Sequence, residues 1–126
     1  MSGVCKSNGN KPITVEKELF DHFNLRPLKI KQFNLNKKFY IMPSTTYGQV
    51  IYYFLNNKEN VIGFIDNDPD KLNKRTYGTS LLTYLPSILS SNECNDILII
   101  KTLYFNEMYD QIKNINKNIT IHTIDL

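Results

Sequence analysis

Three short, nearly unbroken apolar runs stand out from an otherwise polar chain: Phe39–Met42, Val61–Ile65 and Ile97–Ile100. Such runs suit strands buried on both faces, as in a parallel sheet covered by helices on either side. Between the first two, Val50, Ile51, Phe54 and Leu55 recur at helical spacing, which predicts a helix from about Thr46 to Asn57, closed by Asn56-Asn57-Lys58. After the third run, Phe105, Met108, Tyr109, Ile112 and Ile115 set a helix of two to three turns. Ile119–Ile124 then returns as a further strand, with Ile119 and Ile121 on one face. The alternation of strand and helix predicts an α/β, three-layer domain with a mainly parallel sheet of four to five strands and right-handed crossovers.

The flanks are less regular. Residues 1–12 are polar and aperiodic and read as a disordered leader. Residues 13–36 read as cover for the sheet. Thr14 is placed to cap a short helix carrying Val15, Leu19, Phe20 and Phe23, which must stop before Pro27. Leu28, Ile30 and Phe33 then alternate with lysines, the pattern of an extra edge strand or an extended connector. The segment Lys71–Gly78 is basic and polar and reads as a loop, and Leu85–Ser90 as a helical attempt. Residues 37–126 form the core unit, without internal repeat or linker.

Composition narrows the class. At 126 residues, 41% hydrophobic and 21% charged, the chain has the make-up of a single globular domain. The net charge of +3 comes from scattered lysines, which argues against a nucleic-acid surface. Cys5 and Cys94 are too few for a disulfide framework, so a reducing, cytoplasmic setting is expected. No apolar stretch approaches the roughly 18 residues of a membrane span, and no membrane partner is expected.

Four places can carry chemistry. The turn Pro43-Ser44-Thr45-Thr46-Tyr47-Gly48 stands where a dinucleotide-binding protein carries G-x-G-x-x-G, and only the last glycine is there. Pro43 removes an amide donor, so tight NAD binding is not expected. The helix start beyond it still favours an anion, and Ser44, Thr45 and Thr46 offer hydroxyls, although these residues also suit plain caps and turns. Asp66 ends the second run about 20 residues later, where a carboxylate can reach a ribose. An Asp beside Asn67, Asp68 and Pro69 is equally suited to forming a turn. Lys71, Lys74 and Arg75 follow, either as phosphate contacts or as solvated loop charges. Lys101 and Tyr104 leave the third run at the same sheet edge, and Tyr104 is suited to stacking on a base or sugar. Glu107 and Asp110 share a helix face and would serve as an acid/base pair only if one were buried. His22, His122 and Cys94 are widely spaced, so neither a metal site nor Cys/His catalysis is expected.

The string Asp66-Asn67-Asp68-Pro69-Asp70-Lys71, followed by Tyr77-Gly78-Thr79, resembles the D-x-x-P-x-K … P-G-T signature of the C-terminal domain of sugar C-methyltransferases. Gly63-Phe64-Ile65-Asp66-Asn67-Asp68-Pro69 is equally similar to the G-F-x-D-D-D-P stretch of the nucleotide-sugar-binding N-terminal domain of sugar acyltransferases. The first resemblance extends over roughly Lys37 to Leu126 and includes the strand order. Glu107 matches an acid of the methyltransferase pattern. Pro43–Gly48 replaces its G-A-x-A-K-G turn, and Thr102-Leu103 replaces its Trp-Asn pair. The resemblance implies a Rossmann-like module that holds a nucleotide-sugar for sugar modification or glycan biosynthesis. Asp66 would meet ribose or base, Ser44, Thr45, Thr46 and Gly48 the phosphates, and Lys71 or Lys101 the remaining charge, with Thr79 in the matched motif. These 126 residues hold no glycine-rich S-adenosylmethionine loop, so no cofactor is expected and a separate methyltransferase or other sugar-modifying chain is the implied partner. A homodimer, a stand-alone sugar-modifying enzyme using Glu107 or Tyr104, and a ligand-free scaffold remain open alternatives.

Overall fold

A computed structural model describes residues 27–76, 78–91 and 93–125. The expected leader and the helix around Thr14–Phe23 lie outside these residues. In chain order the elements are α1 (Pro27–Gln32), β1 (Phe39–Met42), α2 (Thr46–Phe54), β2 (Val61–Ile65), β3 (Thr83–Tyr84), β4 (Asp96–Lys101), α3 (Phe105–Ile115) and β5 (Thr120–Asp125). Short 3-10 turns lie at Lys58–Asn60, Pro69–Lys71 and Pro86–Ser90. The five strands form one parallel sheet in the order β3-β2-β1-β4-β5.

Burial explains why the apolar runs are unbroken. Phe39 and Ile41 of β1 and Leu98 and Ile100 of β4 pack on one side with Val50, Ile51 and Phe54 of α2. Tyr40 and Met42, with Ile97 and Ile99, pack on the other side with Met108 and Ile112 of α3. Because successive strand residues face opposite layers, a strand covered on both sides needs an apolar residue at every position. The result is the expected three-layer, Rossmann-like α/β domain, with helices on both faces of the central strands.

Two elements depart from the sequence expectation. Residues 27–32 form a helix instead of an edge strand or connector, with Pro27 the first of its described residues. Ile30 is fully buried from this helix, and Phe33 just beyond it packs edge-on against Phe39. The edge strand lies instead at Thr83–Tyr84, beside β2. At two residues it is too short for any period to show.

β1, β2 and β4 lead at their carboxyl ends into the loops that matter here. β1 runs into the Pro43–Thr45 turn and α2, β2 into Asp66 and the basic segment, and β4 into Thr102–Tyr104. No helix of the described residues is long and apolar enough to cross a membrane.

Candidate functional site

Asp66 is the hub of the sheet edge. Its Oδ2 accepts the backbone N–H of Ser44 at 3.0 Å and lies 3.3 Å from the Lys71 ammonium. Its Oδ1 accepts the N–H of Asp68 at 3.0 Å. Lys71 Nζ also donates to the carbonyl of Ser44 at 3.0 Å. One buried carboxylate therefore clamps the turn after β1 to the turn after β2, and its charge is met by Lys71. Asp68 repeats the local device one turn on, accepting the N–H of Asp70 at 3.0 Å and so capping the Pro69–Lys71 turn.

Two adjoining clefts flank this clamp. The larger, about 410 Å³, lies between the start of α2 (Ser44, Thr45, Thr46, Gln49) and the segment carrying Lys71, Lys74, Arg75 and Thr76, with Thr83 on its floor. The second, about 300 Å³, is lined by Thr45, Asp66, Asn67, Lys71, Thr102 and Tyr104 among others. Thr45 and Lys71 belong to both. The positive charge of the larger cleft comes from two side chains. Among the described residues neither Lys74 nor Arg75 has a carboxylate within ion-pair reach, whereas Lys71 is committed to Asp66.

The first turn of α2 adds to this field, because its amides have no partner inside the helix and carry the positive end of its dipole. Thr45 stands at the cap position, yet its hydroxyl bonds none of those amides, and its Oγ1 is buried without a partner. Gly48 sits in that same turn for a steric reason. A Cβ there would stand 2.2 Å from the carbonyl oxygen of Pro43.

The residues singled out from sequence thus fall into two groups. Ser44, Thr45, Thr46, Asp66, Lys71 and Tyr104 converge on the two clefts, with Gly48 beneath them. Thr79 and Lys101 line neither. The Thr79 hydroxyl donates to the carbonyl of Thr76 and accepts the N–H of Leu81, shaping its own turn. Lys101 leans over the ring of Phe105, 5.5 Å from its centre. Tyr104 is largely exposed at the rim, as suits a surface that a ligand could cover.

Sequence reasoning missed Gln49, Thr76 and Thr83 as lining residues, because a lone threonine or glutamine carries no motif. It also missed the reciprocal amide pair of Asn67 and Gln111, at 3.0 and 2.7 Å, which ties the β2 turn to α3.

Among the described residues no histidine or cysteine lines either cleft. Glu107 and Asp110 are exposed on α3. His122 pairs with Asp96 at 2.9 Å at the amino end of the sheet, opposite both clefts. Burial pushes the Cys94 thiol up from its usual value, and its Sγ–H is engaged with the carbonyls of Lys38 and Asp96, so it is a poor nucleophile. No protein-family model matches the sequence, and comparison with curated proteins gives no match either.

Proposed function

We propose that this domain is a binding module for a nucleotide-sugar, working beside a separate sugar-modifying chain. The observation that carries the reading is the pair Lys74 and Arg75, uncompensated and facing the start of α2 across the larger cleft. A diphosphate is the natural occupant of such a gap, since it meets cations on one side and helix amides on the other. The adjoining cleft then takes the base or the sugar against Tyr104. Asp66 acts beneath the ligand by holding both loops, rather than by touching the ribose. The sugar part of the reading rests on the resemblance at Asp66–Lys71 and Gly63–Pro69. A binding role is favoured over catalysis because no histidine or cysteine lines either cleft and both carboxylates of the smaller one, Asp66 and Asp68, already accept backbone N–H groups.

Thermal-shift measurements against UDP-, GDP- and dTDP-sugars test this. Ligand at a hundred times its dissociation constant adds about 2.7 kcal/mol, or roughly 10 °C for a domain of this size. NAD and S-adenosylmethionine should give no shift. The Lys74→Ala/Arg75→Ala double variant should keep the apo melting temperature, since both residues are exposed, and lose the ligand-induced shift. Stabilisation by NAD or S-adenosylmethionine, or by no nucleotide-sugar at all, would overturn the reading.

A further inference from the structure

We infer that Thr76 and Thr83 are positioning residues: with Ser44 they form a closed ring of hydroxyls that sets the basic segment against the start of α2. The inference rests on the phosphate-binding reading of the larger cleft. Lys74 and Arg75 reach a ligand only as well as their backbone is placed, and both side chains are exposed.

The backbone of their segment is fastened to its own neighbours and to the stretch leading into β3, with Lys74 N–H donating to the carbonyl of Lys71 at 3.1 Å and Thr76 N–H to that of Leu81 at 2.7 Å. Asn73 N–H donates to the carbonyl of Thr83 at 2.8 Å, and Thr83 N–H to the carbonyl of Lys74 at 2.9 Å. None of these bonds reaches the opposite wall of the cleft, to which the segment is tied at Lys71 through Asp66 and the Ser44 carbonyl. The hydroxyls add a second tie, at Thr76 and Thr83. Ser44 Oγ lies 3.0 Å from Thr83 Oγ1 and 3.3 Å from Thr76 Oγ1, and the two threonine oxygens are 2.7 Å apart. All three residues are buried.

Each hydroxyl owns one hydrogen, so all three contacts can be bonded only if every oxygen donates once and accepts once around the ring. Three consequences follow. The ring joins the β1 turn, the basic segment and β3 at one point. It uses all three hydroxyl hydrogens, so Ser44 has none left for a phosphate, which leaves Lys74, Arg75 and the helix amides as the donors. Removing any one hydroxyl breaks two of the three bonds.

Titration with inorganic pyrophosphate at low salt, followed by calorimetry, tests the assignment. Thr83→Val keeps the side-chain shape and deletes the hydroxyl. It should weaken pyrophosphate binding about tenfold and speed amide exchange at Lys74–Thr76 in the folded apo protein. Thr83→Ser should restore affinity to within about threefold, which a role for the methyl group alone would not allow. Thr76→Val and Thr76→Ser repeat the comparison from the other side should Thr83→Val fail to fold. A wild-type protein that binds pyrophosphate while the valine variants bind it equally well overturns the positioning role and leaves the binding reading standing. A failure of the serine variants to rescue overturns it likewise. A wild-type protein that ignores pyrophosphate overturns both.

Discussion

Asp66→Ala is expected to lower the melting temperature of the ligand-free protein by about 10 °C. The substitution removes the acceptor for the buried N–H of Ser44 and for the N–H of Asp68, and strips Lys71 of its counter-ion. A buried donor left without a partner costs about 1–3 kcal/mol, and bonds to a charged acceptor lie at the upper end of the range. The lost ion pair adds little, because Lys71 is more than a third exposed. A total of about 2–3 kcal/mol converts at about 4 °C per kcal/mol for a domain between 100 and 150 residues. Asp66→Asn retains one acceptor oxygen and should lose about half as much. A carboxylate whose only task was to meet a ribose would behave in the opposite way, with an unchanged apo melting temperature and lost binding. Differential scanning calorimetry on the two variants separates these outcomes.

Gly48→Ala is expected to be at least as damaging, although it adds a single methyl group. At 2.2 Å from the Pro43 carbonyl oxygen the new carbon meets backbone, which has no rotamer in which to retreat. The ring of Phe64, at 3.5 Å, closes the other side. The start of α2 must therefore move off the β1 turn, against a core in which Ile51 and Phe64 are fully buried. Overpacking of this kind costs about 1–3 kcal/mol and more where the backbone cannot follow, so a loss of about 3 kcal/mol is expected. The same movement widens the cleft between α2 and the basic segment, so affinity for the proposed nucleotide-sugar should fall as well. Urea unfolding should show a lower midpoint at unchanged slope, the signature of lost stability rather than of an altered unfolded state. An unchanged midpoint would mean that the helix approaches the turn less closely than the structure has it.

These two positions also show what the chain discloses and what it withholds. The central strands and both main helices were legible because burial on both faces demands unbroken apolar runs, and helices between them demand a 3.6-residue period. β1 and β2 begin and end where those runs do. At Asp66 the sequence shows a carboxylate at a sheet edge, but ribose hydroxyls and backbone amides are both hydrogen-bond donors, and only coordinates tell which are in reach. Gly48 is similar. In sequence it stands for the last glycine of a phosphate loop, whereas in space it marks a close approach of backbone to backbone. Thr76 and Thr83 were out of reach altogether, since their meeting with Ser44 depends on how a segment without periodicity folds back. The helix at residues 27–32 was hidden for a simpler reason: Leu28 and Ile30 set between lysines match a strand's alternation as well as a short helix.

The central claim is that two clefts on either side of the Asp66 clamp together receive a nucleotide-sugar. Amide NMR titration of the ¹⁵N-labelled protein with a panel of UDP-, GDP- and dTDP-sugars addresses it residue by residue. The account predicts saturable shifts confined to Ser44–Gln49, Lys71–Thr76 and Thr102–Tyr104, with the amino end of the sheet around Asp96 and His122 unmoved. Shifts centred elsewhere, or a spectrum that no nucleotide-sugar perturbs at millimolar concentration, would contradict it.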